Sequence, residues 1–215
     1  MKKILLITVA VLFSFAQVNA DNMSEGFRLG ISVSNTEVNG SGSETLRTTK
    51  RQSAVASTSE TTTIGHVFAE RTFSNGFTLG VDYVPGEADV GTKTRADDDF
   101  DTSGGNKASA VVSQHLTFYG LMPMGSSPFY VKAGVISMDV ETKEKLNTGS
   151  KYGNTSVNGV TAGIGAHFER DNGVYFRTEY SMSEYEDIRL TSTGSNIVEA
   201  DIDTTAMKIS IGKSF

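Results

Sequence analysis

The sequence predicts an all-β chain: an eight-stranded antiparallel up-and-down transmembrane β-barrel. Three observations point there. Apolar and polar residues alternate with period two along most of the chain after residue 20, where helical periodicity is hard to find. The connections between alternating stretches run short, long, short, long, as in a meander with one plain end and one elaborated end. The chain has no cysteine, and no apolar run after residue 20 approaches the ~20 residues that a spanning helix requires.

The first twenty residues stand apart. Lys2 and Lys3 are followed by an apolar run from Ile4 to Ala16 and by the small-residue site Val18-Asn19-Ala20. That is the pattern of a secretory signal peptide, residues 1–20, cleaved after Ala20. Residues 21–215 then form one barrel domain, a length suited to a single domain. The formal charge of −6 becomes more negative once Lys2 and Lys3 leave. Net acidity argues against nucleic acid, whose binding uses Lys and Arg to displace counterions.

Eight strands follow, over Phe27–Val38, Ser59–Thr72, Phe77–Val90, Lys107–Gly120, Phe129–Glu141, Thr155–Phe168, Val174–Leu190 and Ile197–Phe215. In the first, Phe27, Leu29, Ile31 and Val33 oppose Arg28, Gly30, Ser32 and Ser34. The second is ambiguous, because Val67 and Ala69 compete with Ile64 and Phe68 for the apolar face. The third sets Leu79, Val81 and Tyr83 against Thr78, Gly80 and Asp82. The fifth sets Phe129, Val131, Ala133 and Val135 against Tyr130, Lys132 and Gly134. In the sixth, Val160, Ala162, Ile164 and Ala166 oppose Thr161, Gly163, Gly165 and His167. The seventh sets Phe176, Tyr180 and Met182 against Tyr175, Arg177, Glu179 and Ser181. The last sets Met207, Ile209 and Ile211 against Lys208, Ser210 and Gly212. Tight turns are expected at Ser74-Asn75-Gly76, from Leu121 to Pro128, and at Glu169-Arg170-Asp171-Asn172-Gly173, the two Asn-Gly pairs supplying positive φ. Long polar connections fall near residues 39–58, 91–106, 142–154 and 189–196.

Alternation alone does not say which face points outward; a soluble barrel buries its apolar face and a membrane barrel exposes it. Aromatic placement favours the membrane. Phe27, Phe73, Phe77, Phe118 with Tyr119, Phe129 with Tyr130, Phe168, Phe176 and Phe215 recur near the short-turn ends, as a girdle at a membrane–water boundary would. The polar face points the same way: Arg28, Asp82, Lys132, Arg177, Glu179 and Lys208 alternate with glycines. Small residues beside long charged ones fill a narrow lumen. On a water-facing surface the glycines would weaken the strands without benefit.

With these features the sequence resembles the small eight-stranded outer-membrane barrel proteins of Gram-negative bacteria, the group of opacity-type porin-like surface proteins and the outer-membrane protein A barrel. The carriers are the signal ending Val18-Asn19-Ala20, the three tight turns and the closing segment Met207 to Phe215. That segment looks like the family's assembly signal, with Met207, Ile209, Ile211 and terminal Phe215; Lys213 departs from it, since an apolar residue is usual there. The resemblance implies a cell outer-membrane location, short turns in the periplasm and long loops outside. It implies contact with outer-membrane lipid and lipopolysaccharide and with the outer-membrane assembly machinery.

For chemistry the sequence offers little that converges. The six lumen charges are expected to pair and hold the barrel shut, with a gate as the alternative. His66, His115 and His167 come from different strands with no shared metal spacing, so no metal and no cofactor is expected. His115-Leu116-Thr117 sets a histidine and a hydroxyl on one strand face, the thinnest basis for an acyl hydrolase or transferase. Asp99, Asp101, Ser103 and Gly104 match half a calcium loop, but the acid that must close it falls on Ala110. Arg47, Lys50 and Arg51 make the first long loop basic, while Glu184, Glu186, Asp187, Glu199 and Asp201 make the last connection acidic. The leading expectation is a non-enzymatic surface protein that presents loops to a surface ligand. The alternative is a small porin-like channel for ions and polar solutes, and the minor alternative is the lipid-modifying enzyme.

Overall fold

The computed structural model describes residues 23–45, 56–95, 106–145 and 151–215. Ten strands build eight staves: β1 Gly26–Thr45, β2 Ala56–Thr72, β3 Thr78–Tyr83, β4 Glu87–Arg95, β5 Asn106–Pro123, β6 Phe129–Lys145, β7 Thr155–Glu169, β8 Val174–Tyr185, β9 Ile188–Thr191 and β10 Ile197–Ser214. Staves pair antiparallel in chain order, and β1 pairs β10 from Arg28↔Ser214 to Thr45↔Ile197, which closes the ring. Phe27 N donates to Phe215 O at 3.2 Å and Phe215 N to Phe27 O at 2.8 Å, so the last residue fastens the seam of closure. The chain is an all-β, eight-stranded antiparallel up-and-down barrel.

Two predicted strands are interrupted. Phe77–Val90 divides into β3 and β4 around Val84-Pro85-Gly86, because Pro85 offers no N–H to a ladder and Gly86 sits at φ +99°. Both halves pair β5, whose own register shifts between Ser113 and Leu116. Only β3 also pairs β2, and that ladder stops at Val67↔Tyr83. Val174–Leu190 likewise divides at Glu186-Asp187 into β8 and β9, and among the described residues β9 pairs β10 alone. Other strands outrun their predicted ends: β1 reaches Thr45 instead of Val38, and β6 reaches Lys145 instead of Glu141. Asn39–Thr45 is polar on both faces and carries no alternation, yet its backbone stays paired to β10 throughout and to β2 as far as Gly42. Pro123 and Glu169 belong to strands rather than to the turns predicted for them. The predicted signal peptide, Arg47, Lys50, Arg51 and the Asp99–Gly104 segment lie outside the described residues.

The lower wall exposes apolar side chains. Phe27, Leu29, Ile31, Val33, Ile164 and Phe215 are 47–71 % exposed, a continuous face for which a bilayer is the matching solvent. The second strand resolves accordingly: Val67 and Ala69 face out, and Phe68 is buried inside. Phe73, Phe129, Phe168 and Phe176 are on the outer wall, and half-buried Phe77 stacks on Phe73 at 6.2 Å. Phe118 also faces out, but it pairs with Val81 and Val135 and so stands up the wall, away from the turn. Tyr119 and Tyr130 point inward instead of joining the girdle. Lys213 leans toward the lower edge, its ammonium 3.4 Å from Asn172 O and 5.9 Å from the Phe215 ring, so its charge leaves the apolar wall.

Above this belt the pattern inverts. On β6 Val135 is exposed outside, whereas Ile136, Met138 and Val140 are buried inside. With Val157, Tyr185 and Ile188 they form an apolar core, against which Val112, Leu190 and Ile202 pack. The upper barrel carries its oily residues inside, the arrangement of a sheet protein in water.

Candidate functional site

The lumen of the lower barrel is a layered polar core. All six predicted lumen charges, Arg28, Asp82, Lys132, Arg177, Glu179 and Lys208, are buried within it. They are joined by two carboxylates, Glu70 and Glu169, that strand alternation misses. Glu70 falls in the strand whose faces are ambiguous, and Glu169 was expected in a turn. Once Phe68 is inward, Glu70 must be inward too.

Each cation has its own carboxylate. At the bottom Arg28 Nη2 donates to Glu169 Oε2 at 2.9 Å and Nη1 to Thr72 at 2.6 Å, while Thr72 and Thr78 share a hydrogen bond of 2.7 Å. His167 Nε2 donates to the same Glu169 oxygen at 3.1 Å. In the middle Arg177 grips Glu70 through both nitrogens at 2.6 and 2.8 Å, and Tyr119 donates to Glu70 at 2.6 Å. Such a two-pronged pair is the strongest form that the guanidinium makes. Beside it Lys132 donates to Glu179 at 2.7 Å and Tyr130 donates to its second oxygen at 3.0 Å. Higher still, Lys208 donates to Asp82 Oδ2 at 2.8 Å. Four cations face four carboxylates, so the core is neutral when all are ionised.

Aromatic rings fill what the charges leave. The Arg177 guanidinium stands 5.3–5.6 Å from the ring centres of Phe68, Tyr130 and Tyr175, and the Lys132 ammonium 4.6 Å from that of Tyr119. The predicted glycines make the space: a Cβ on Gly30 would run into Phe68, on Gly80 into Tyr119, on Gly165 into Tyr130 and on Gly212 into Tyr175. From below, buried Met23 packs with Tyr119, Leu121 and Tyr130, corking the short-turn end. This arrangement can hold a barrel shut; opening it would require uncoupling buried ion pairs, at about 3–5 kcal/mol each if one partner is left alone.

The three histidines do not converge. His167 belongs to the Arg28–Glu169 layer, and His115 Nε2 lies 3.1 Å from the Tyr185 hydroxyl above the belt. His66 lies between Ser34 and Asp82, with Nε2 2.9 Å from Ser34 Oγ and Nδ1 2.8 Å from Asp82 Oδ1. Thr117, expected beside His115, is buried, and His115 meets the Tyr185 hydroxyl instead; among the described residues the histidine on a serine hydroxyl is His66, with Ser34.

No family model matches this sequence, and no curated protein does. Among solved structures, the outer membrane protein OprG from Pseudomonas aeruginosa is 14% identical over 93% of this chain and 99% of its own, with a TM-score of 0.54. Ail, the attachment invasion locus protein of Yersinia pestis, is 10% identical over 86% of this chain and 99% of its own, with a TM-score of 0.37. Neisserial surface protein A is 10% identical over 85% and 97%, with a TM-score of 0.38. The chain shares the fold of the small eight-stranded outer-membrane barrels.

Proposed function

We propose that this chain is an outer-membrane barrel with a closed lumen, whose projecting strands and loops form a surface for interaction outside the cell. The observation that carries the reading is the neutral core in which each of the four cations meets a carboxylate, with Arg28 and Tyr130 at 0 % exposure. A conducting path would need a file of water where these side chains stand. The projecting part is large by contrast: β1 continues twelve residues past Val33, roughly 40 Å of strand at ~3.3 Å per residue. Its outer face carries a polar groove of about 340 Å³ lined by Asn39, Ser41, Ser57, Ser59, Asp201 and Asp203. Hydroxyls and carboxylates there suit a polar or cationic partner, while the belt below meets outer-membrane lipid and lipopolysaccharide. In this reading the signal is cleaved after Ala20, and Met207, Ile209, Ile211 and Phe215 present the chain to the assembly machinery.

The test is single-channel recording on residues 21–215 refolded into a planar bilayer, with insertion verified by heat-modifiable gel migration. Inserted barrels should give no discrete current steps. Steps that change in Arg177→Ala or Glu179→Ala variants would replace this reading with the small polar-solute channel.

A further inference from the structure

We propose that Ser34, His66 and Asp82 form a nucleophilic relay that hydrolyses small carboxylic esters at the head of the polar lumen. The three side chains come from three staves, β1, β2 and β3, and meet only through barrel pairing. Asp82 Oδ1 accepts from His66 Nδ1 at 2.8 Å, and a carboxylate can only accept, so the proton of neutral His66 sits on Nδ1. That leaves the Nε2 lone pair facing Ser34 Oγ at 2.9 Å, where it accepts the hydroxyl proton. Lys208 holds the other Asp82 oxygen at 2.8 Å and so fixes the aim of the carboxylate. This is the order of roles in which a hydroxyl becomes a nucleophile: base in contact with it, and a carboxylate orienting the base.

The surroundings differ from those of an ordinary buried network in two respects. Ser34 is flanked on its own face by two further hydroxyls, Ser32 and Thr36. Thr36 Oγ1 is 3.0 Å from Ser34 Oγ, and buried Ser32 Oγ has no hydrogen-bond partner, which leaves a donor in place for a developing oxyanion. The relay also stands where the wall opens. The β2–β3 ladder ends at Val67↔Tyr83, one residue below His66, and among the described residues β4 pairs only β5. Above His66 the inward Ile64 is half-buried and Thr62, Glu60 and Thr58 are exposed, so water reaches the interior to a level just above the relay; Ser34 itself is 1 % exposed, and an ester must part the side chains over it to reach the hydroxyl.

In the reaction Ser34 Oγ attacks the ester carbonyl carbon as its proton passes to His66 Nε2. The tetrahedral intermediate collapses, the bond to the alcohol oxygen breaks, and His66 returns the proton to that oxygen. Water then attacks the Ser34 ester with His66 again as base, releasing the acid and restoring the hydroxyl. Ser34 and His66 are catalytic residues here, and Asp82 is a positioning residue.

The experiment uses the full mature chain refolded in detergent, treated with a fluorophosphonate probe and assayed with p-nitrophenyl acetate and butyrate. The probe should add to the peptide containing Ser34, and Ser34→Ala and His66→Gln should each lower ester hydrolysis by about a hundredfold or more while heat-modifiable migration persists. Asp82→Asn should shift the pH profile of probe labelling, which a residue with only a packing role would leave in place. Ser34→Cys keeps the shape of the site, and its thiol should react with iodoacetamide faster than the same variant carrying His66→Gln. Absence of labelling in the folded chain, labelling at another serine, or hydrolysis equal in Ser34→Ala and the parent would each overturn the proposal.

Discussion

The two ends of β6 are built on opposite plans. From Phe129 to Val135 its apolar residues face outward and its inward residues are Tyr130, Lys132 and Gly134; from Ile136 to Val140 the apolar residues face inward. The backbone ladder runs through the change without a break on the β7 side, from Phe129↔Ala166 to Val140↔Thr155. What changes is the solvent outside. Lipid rewards an apolar wall and confines charge to the lumen, where every charge needs a partner; water reverses both preferences. The lower barrel is therefore locked by electrostatics across its interior, and the upper barrel by an oily core.

The largest effect should come from breaking the lower lock. Glu70→Ala leaves Arg177 buried without its carboxylate and should cost about 3–5 kcal/mol, read as a lower urea midpoint for unfolding in detergent. Adding Arg177→Met should recover most of that loss. If the single variant unfolds at the parent's midpoint, the ion pairs do not lock this half.

A comparable cut in the upper half should behave differently. Met138→Ala removes buried volume from the apolar core at a cost of about 2–5 kcal/mol, or less where the core collapses around the gap. Amide exchange should accelerate in the upper residues of β5 to β10, while the protection of residues 27–33 and 207–213 stays unchanged. Equal loss of protection in both halves would mean that the two are one cooperative unit.

The smallest effect concerns Tyr185, which joins the upper core to His115. Burial pushes its hydroxyl up to about 12, against about 10 in an unfolded chain. The stability gained by keeping it neutral is complete below about pH 10 and is lost as pH rises through about 12. Tyr185→Phe should cost about 0.5–1.5 kcal/mol at neutral pH, the worth of the hydrogen bond, and should remove this group's part of the alkaline loss. Urea midpoints followed by circular dichroism at pH 8 and pH 12 measure both.

Much of the architecture is legible in single residues. Phe27, Leu29, Ile31 and Val33 define a wall face without knowledge of any partner strand, and the Asn75-Gly76 and Asn172-Gly173 pairs mark their turns. Arg177 and Lys132 announce a polar interior because a charge on the lipid face away from its edges is costly. The doublet Val135-Ile136 even records where the solvent changes, since two successive apolar residues shift the alternation by one. The strand breaks are less visible: Pro85 is a plain warning within Phe77–Val90, but nothing in Glu186-Asp187 requires a strand to stop. Ser34 and His66 carry no local signal as a pair, because neither is near the other in sequence.

The sequence by itself determined eight staves and their order, and for every stave but the second which residues share the apolar face, because alternation and turn chemistry act over a few neighbouring residues. Only the tertiary structure decided who faces whom across the lumen. Arg28 meets Glu169, Arg177 meets Glu70 and Lys208 meets Asp82 at separations of 141, 107 and 126 residues. Those distances close only when β10 returns to β1, since the tilt and stagger of a closed sheet set which inward side chains share a level.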